Sequence, residues 1–254
     1  MKPLSVARDL ARRRGRQRTG LFVAEGVRCV EELMQSQLSL RSVIVSPALG
    51  QTARGADLES IVRTSAATRG FEVADVTDAD LLEAAGTDTP QGIIAIAVQP
   101  ERSFDRIPAA GLILLLDAIQ DPGNVGTILR TAQAFGVAAT IALPGTVDLW
   151  NPKVVRSAMG ALFSQHAFHA EADDAIRHLQ GGAIPLLATR AGAEPVERLR
   201  AGERVAIVVG NEAAGVSAEL ANAAARTVSI PISGVESLNV AVATGIILYA
   251  LTTS

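Results

Sequence analysis

Three loops in the second half of the chain carry the residues best suited to chemistry: "QDPGNVGTILR" (120–130), "GNEAAGVS" (210–217) and "IPISGVESLN" (230–239). Each joins glycine to an Asn, Glu or Ser side chain. Glycine permits positive φ and a close approach of backbone to a ligand. The neighbouring amide, carboxylate and hydroxyl groups add oriented donors and acceptors. Turn-making explains any one of these loops alone equally well. None contains G-x-G-x-x-G or G-x-x-x-x-G-K-[ST], so the standard dinucleotide and P-loop readings lose their main support. His166, His169 and His178 form no ligand motif with a Cys or Glu, and no metal is expected.

The elements around these loops read as α/β. "LILLLDAI" is a continuous apolar run of the kind buried on both faces of a parallel sheet. A helix, "VGTILRTAQAFG", and a strand, "AATIALP", follow it and make a βαβ unit. "NPKVVRSAMGALF" is a helix with Asn151 as N-cap and Pro152 at its first position. "IPLLATR", "RVAIVVG" and "TVSIPIS" are further strands, and a last helix starts near Ser237. In such a sheet ligands collect beyond the carboxyl ends of the strands, where the three loops fall.

The first half is a smaller α/β block with strands at "LFVAEG", "RSVIVS", "FEVADVT" and "GIIAIAV". Helices at "VRCVEELMQSQ", at "LESIVRTSAATRG" closed by Gly70, and at "DADLLEAAG" lie between them. The polar, proline-bearing "QPERSFDRIPAAG" is the best linker, with a boundary near residue 105. The expected organisation is a basic arm over 1–20, an α/β domain over 21–104 and a second α/β domain over 105–254.

Composition narrows the class. With 48% hydrophobic, 19% charged and 3% aromatic residues, the 254-residue chain suits an Ala/Val/Ile-rich α/β protein rather than a disordered one. One cysteine, Cys29, excludes an internal disulfide framework and fits a reducing cytoplasm, where it reads as a small buried hydrophobe. No apolar run approaches the roughly 20 residues that span a bilayer, and the N-terminus lacks a signal-peptide core, so a soluble protein is expected. Residues 1–20 hold seven basic side chains against Asp9 alone, leaving the rest of the chain at −9 for an overall −3. A basic arm on an acidic body suggests a polyanion partner, with Arg12, Arg13, Arg14, Arg16 and Arg18 as the contacts. A solvated, partly helical arm is the alternative.

In order and spacing, the three loops resemble the motifs of the SpoU/TrmH family of S-adenosylmethionine-dependent RNA ribose 2′-O-methyltransferases. "LDAIQDPGNVGTILRTAQAFG" matches with Asn124, Gly126 and Arg130. "IVVGNEAAGVS" matches with Gly210, Asn211, Glu212 and Gly215. "SIPISGVESLNVAVATGIILY" matches with Ile230, Pro231, Gly234, Ser237, Leu238 and Asn239. "NPKVVRSAMGALF" is similar to the family's intervening segment. More weakly, "GLFVAEGVRCVEEL" and "DTPQGIIAIA" resemble the small RNA-binding domain that many members carry. The chain departs from the pattern at "NVAVAT", where a Ser often follows the Val, and in the compact spacer "GVE".

The resemblance implies a C-terminal parallel sheet tied in a deep trefoil knot, an S-adenosylmethionine cofactor bound bent by knot backbone, and a homodimer packed through knot helices. Residues alone would have drawn an ordinary doubly wound sheet, since true knots are rare. For the cofactor the resemblance points to Gly210, Ile230 and Leu238, with Val209, Asn211 and Pro231 beside them. Arg130 falls next to the target hydroxyl. A guanidinium is effectively never deprotonated in proteins, which favours Arg130 orienting RNA phosphate and stabilising a developing alkoxide. Asn124 is expected to cap its helix or to position Arg130 and the cofactor, two compatible roles. Glu212 holds Arg130, accepts from the ribose or partner subunit, or is simply a helix N-terminal acid. Ser237 has an N-cap alternative, whereas Asn239 is expected to face the site. The substrate expected from a two-block chain is 23S rRNA. The alternatives are tRNA, a non-catalytic RNA-binding or ribosome-assembly relative and, without the family, a nucleotide-dependent metabolic enzyme.

Overall fold

The computed structural model describes residues 2–196 and 204–252, which divide into two compact units. The first comprises Met1–Glu101 and Trp150–Ser164, the second Arg102–Leu149 and Gln165–Ser254.

The first unit opens with α1 (Pro3–Leu10) and α2 (Arg13–Thr19). Then come β1 (Leu21–Glu25), α3 (Val27–Gln35), β2 (Leu40–Val45), α4 (Ala53–Arg69), β3 (Glu72–Asp75), α5 (Asp78–Ala84) and β4 (Ile93–Val98). The sheet runs β1-β4-β2-β3, with β4 antiparallel to both neighbours and β3 parallel to β2. Local signals set the helix ends. Gly70 closes α4 at φ 70°, a left-handed geometry that costs glycine little. Thr77, rather than the Asp after it, caps α5 by accepting the Asp80 N–H.

The N-terminal segment is not a solvated arm. Ala7 and Leu10 of α1 are buried in one core with Val23, Ile44, Leu81, Ile94 and Ile96. Arg16, expected as a phosphate contact, is buried. Its Nη1 donates to the Leu10 and Ala11 carbonyls at 2.7 and 3.0 Å, satisfying acceptors that the end of α1 leaves open. Arg18 pairs with Asp9 at 2.6 Å. Arg12, Arg13 and Arg14 remain exposed.

The segment 150–164, expected as part of the second domain, clusters with the first unit. It holds α7 (Pro152–Ser157), capped by Asn151, and α8 (Ala161–Ser164), separated by Met159 and Gly160 at positive φ. The reason is apolar burial. The Trp150 and Phe163 rings lie 4.4 and 5.7 Å from that of Phe22 on β1, and Val154, Val155 and Leu162 are buried. Cys29 is buried here too, its thiol pushed up to about 12 by desolvation.

The second unit contains β5 (Ile113–Asp117), α6 (Pro122–Ala134), β6 (Ala139–Ala142), β7 (Ala167–His169) and α9 (Ala172–Gly181). It continues with β8 (Leu186–Pro195), β9 (Ala206–Gly210), α10 (Ala218–Ala223), β10 (Arg226–Ser229) and α11 (Val240–Thr252). All six strands are parallel, in the order β10-β8-β9-β5-β6-β7. Ile113, Leu115, Ile141, Ala206 and Val208 fill one buried face with Leu179 of α9 and Leu220 of α10. The reading of a parallel sheet led by "LILLLD" therefore holds; β7 and α9 escaped it. The supposed linker contains a short 3-10 turn over Phe104–Arg106, and Phe104 packs edge-on against Phe168.

Candidate functional site

From β5 the chain runs outward to β6 and β7 on one side, and the later strands fill the other. The order therefore reverses between β5 and β9, the place where open parallel sheets bind ligands. The loops after both strands are tied together. The buried Asp117 carboxylate, ending β5, accepts the Ser217 N–H at 2.7 Å. Ala118 follows with φ 56°, strained for a residue with a Cβ, and its carbonyl accepts Asn211 Nδ2 at 3.0 Å. Asn211 Oδ1 accepts from the Ala213 and Ala214 N–H groups at 2.9 and 3.1 Å, forming an Asx turn. The loop closes through the Gly215 N–H on the Asn211 carbonyl at 2.8 Å. A Cβ on Gly210 would overlap the Gly215 carbonyl, so position 210 admits only glycine without rearrangement.

A cavity of about 660 Å³ opens over the ends of β8, β9 and β10. That volume suits a small-molecule ligand. Among the expected cofactor residues, Val209, Gly210, Asn211, Ile230 and Leu238 line it, and so do Glu212 and Ser237. Pro231 does not line it, although its neighbours Ile230 and Ile232 do.

Three of the expected catalytic side chains meet directly. Asn124 Nδ2 donates to Glu212 Oε1 at 2.7 Å, and Asn239 Nδ2 donates to Asn124 Oδ1 at 3.0 Å. The capping roles differ from those expected. Asp121 caps α6 by accepting the Asn124 N–H at 2.7 Å, which leaves the Asn124 side chain for the site. At α11 the cap is Asn239, not Ser237: its Oδ1 accepts the Ala241 and Val242 N–H groups at 2.9 and 3.3 Å. Ser237 lies in the preceding loop, exposed on the cavity wall. Arg130 does not join the cluster. It is exposed on α6, and Glu212 takes Asn124 rather than Arg130 as its partner. Arg130 is six positions beyond Asn124, about 9 Å along the helix axis and on a different face.

The sequence reading missed one wall of the cavity. The β8–β10 ladder jumps from Ala188↔Thr227 to Glu194↔Val228, so residues 189–193 bow out of the ladder. Thr189, Arg190 and Ala191 of this bow line the cavity, and Ser229 Oγ pins it by donating to the Ala193 carbonyl at 2.6 Å. The signal in the sequence is the break of the strand "IPLLATR" at Arg190 in front of "AGAEP". Among the described residues no group of three His, Cys, Asp or Glu side chains is placed to hold a metal, and no helix is long and apolar enough to cross a membrane.

The second unit thus joins a parallel sheet, a cavity over the ends of β8, β9 and β10, and an amide–carboxylate cluster drawn from the segments after β5, β9 and β10. The chain belongs to the SpoU rRNA Methylase family, which matches residues 111–249, and residues 5–95 match the MRM3-like substrate binding domain. It is 32% identical over 246 residues to the 23S rRNA (guanosine(2553)-2′-O)-methyltransferase RlmP of Bacillus subtilis, covering 96% of this chain and 93% of that protein. It is 30% identical to the 23S rRNA (uridine(2479)-2′-O)-methyltransferase of Streptomyces viridochromogenes, covering 94% and 85%. Among solved structures, the AdoMet-bound rRNA methyltransferase of Sinorhizobium meliloti is similar with a TM-score of 0.85 at 28% identity, covering 98% and 94%.

Proposed function

We propose that the protein transfers the methyl group of S-adenosylmethionine to a ribose 2′-hydroxyl in structured ribosomal RNA, with 23S rRNA as substrate. The observation that carries this reading is the meeting of Asn124, Glu212 and Asn239 beside a cavity lined by Gly210, Ile230 and Leu238. The named relatives act on 23S rRNA, and the Sinorhizobium meliloti structure holds AdoMet; both support it.

The cavity fits such a cofactor. Gly210 lines its wall at a position where a Cβ would overlap the Gly215 main chain, and apolar Val209, Ile230 and Leu238 flank it. When bound, the sulfonium supplies an electrophilic methyl group. The protein's part is to hold the ribose oxygen in line with that methyl, accept the hydroxyl proton and stabilise the developing negative charge. Glu212 is assigned to accept a hydrogen bond from the ribose through the oxygen that Asn124 leaves open. Arg130, always charged, is assigned to RNA phosphate and the developing alkoxide rather than to the base role. Ser237 is assigned to the substrate side of the cavity, and Asn211 and Pro231 shape the loops that carry the cofactor contacts.

The first unit is proposed to bind RNA, with Arg12, Arg13 and Arg14 as its phosphate contacts. Arg16 is withdrawn from that role by its burial and internal bonds, whereas Arg18, 60% exposed in its surface pair with Asp9, stays open to phosphate. The region from β9 to α11 is proposed to carry the trefoil knot. Val242, Ile246 and Tyr249 are 53%, 40% and 59% exposed at helical spacing on α11, which supports a homodimer through this helix. A ribosomal substrate supports a cytoplasmic location.

The test is a map of 2′-O-methyl sites in total RNA from cells with and without the gene. One site in 23S rRNA should vanish and return on complementation. Loss of a tRNA site instead, or of none, overturns the reading. A monomer by light scattering at micromolar concentration overturns the dimer.

A further inference from the structure

The hydrogen bonds joining Asn124, Glu212 and Asn239 have a direction, and the start of α11 sets it. Asn239 Oδ1 is held by two main-chain N–H groups of the first turn of α11. Those groups only donate, so the amide oxygen must face them and the amide nitrogen must face away, toward Asn124. Asn124 then has no choice of orientation. Its oxygen meets the Asn239 nitrogen, and its own nitrogen is presented to Glu212 Oε1. Glu212 can meet that nitrogen only as an acceptor. Had Asn239 not been a cap, both amides could turn over and Glu212 could equally meet Asn124 as a protonated donor.

We propose that Asn239 is a positioning residue that sets the polarity of this relay: capping α11 fixes its amide, which fixes the Asn124 amide, which holds Glu212 with Oε1 as acceptor and Oε2 free for the ligand. Three loops that are far apart in sequence are thereby locked in one register, and the open oxygen is aimed by a helix terminus rather than by packing. Asn239 acts through Asn124 and does not itself touch the reacting atoms. The role assigned to Oε2 rests on the methyltransferase reading; the polarity of the relay does not.

The test is to reverse the polarity. Asn239→Asp keeps a good cap, and a negative charge suits a helix N-terminus, but the new side chain cannot donate to Asn124. Asn124 must then set its oxygen against one of two carboxylates, the introduced one or that of Glu212. The thermal midpoint should fall by about 2–4 °C, as expected for loss of roughly one hydrogen bond in a domain of this size. Glu212→Gln alone should be nearly neutral, because the introduced amide oxygen still accepts from Asn124. The double variant Glu212→Gln/Asn239→Asp should recover most of the lost midpoint. In it Asn124 can donate to the introduced carboxylate and accept from the introduced amide. Asn239→Ala, which loses both cap and link, should gain nothing from Glu212→Gln.

Methyl transfer to ribosomal RNA separates the roles. Asn239→Asp should lower kcat about tenfold or more, the factor equivalent to one charge-assisted hydrogen bond, with little change in the KM for S-adenosylmethionine. The stability-restored double variant should stay inactive, because position 212 has lost its carboxylate. Additive midpoints with no rescue overturn the relay, and an Asn239→Asp enzyme with unchanged kcat overturns the positioning of Glu212 Oε2 for the ligand. Absence of methyl transfer by the unaltered protein, with the rescue in stability intact, overturns the functional reading and leaves the polarity standing.

Discussion

Glu25 and Glu212 show two uses of a carboxylate, one in each unit. Glu25 ends β1 and is buried. Its Oε2 accepts the Gly86 N–H at 2.8 Å and lies 3.4 Å from Arg156 Nη1, while Oε1 has no partner. Burial raises its pKa above the ordinary carboxylate value, against the Gly86 bond and the Arg156 charge. Glu212 is exposed on a cavity wall and is held by an amide whose direction a helix terminus sets. The first carboxylate is consumed in joining β1 to the 85–92 loop and to α7. The second is held at one oxygen and open at the other. A buried charge with one unmet oxygen makes a joint, and an exposed charge held by oriented amides makes a site.

The sharpest way to break the comparison is to apply one small substitution in each unit. Gly92→Ala would drive a Cβ into the Leu49 main chain at a position with φ 76°. Steric overlap and left-handed backbone together should lower stability by about 3 kcal/mol, read by chemical denaturation. Binding of S-adenosylhomocysteine, read by calorimetry, should persist under native conditions. Gly210→Ala should reach the site as well: its Cβ overlaps the Gly215 main chain at the cavity wall, so that, besides a loss of stability, binding should fall at least about a hundredfold, the equivalent of some 2.7 kcal/mol. If Gly92→Ala abolishes binding in a folded protein, the division of labour between the units is wrong.

A second contrast lies within the basic N-terminus. Arg16→Ala removes a buried guanidinium from two carbonyls and should cost about 1–3 kcal/mol of stability. It should leave the salt dependence of RNA binding unchanged. Replacing Arg12, Arg13 and Arg14 together by Ala should leave the stability within about 0.5 kcal/mol of the parent, as exposed substitutions do. It should flatten the slope of log affinity against log salt by about 2 to 3, one phosphate contact per arginine. Equal slopes for the two variants would remove the N-terminus from the RNA interface.

What the sequence carried is legible in the same terms. The parallel sheet followed from "LILLLD" and "AIVVG", because strands buried on both faces need no alternation. Glycine beside Asn, Glu and Ser marked the loops after β5, β9 and β10 only as turns, and it was their order and spacing together, through the family resemblance, that marked them as one site. Side-chain partners did not follow. Nothing in "VESLN" decides between Ser237 and Asn239 as the cap; the start of α11 does, and it leaves Ser237 in the loop. Similarly, "RRRGRQR" presents five alike arginines over 12–18, yet a turn between α1 and α2 turns Arg16 inward while its neighbours stay out. The stretch "NPKVVRSAMGALF" (151–163) reads as one helix of the second domain. Its Phe163 and the preceding Trp150 instead find Phe22, more than a hundred residues earlier. Helical period and capping are local properties, whereas the partner of a buried face is set by the whole fold.

The smallest expected effect tests the Glu25 joint through pH. Its folded-state pKa is raised above the ordinary 4.5, so between that value and the folded one the native state binds more protons than the unfolded chain. Stability from this group is therefore greatest at acid pH and falls as pH rises through the window, then levels off above the folded pKa. Glu25→Gln removes the titration while keeping an oxygen for the Gly86 N–H. The difference in stability, variant minus parent, should grow as pH rises from about 4.5 and then become constant, measured by urea denaturation across pH. The opposite slope, with the parent gaining on the variant as pH rises, would mean that attraction to Arg156 outweighs burial. Glu25 would then be a salt bridge that stabilises the unit, and the contrast with Glu212 would rest on exposure alone.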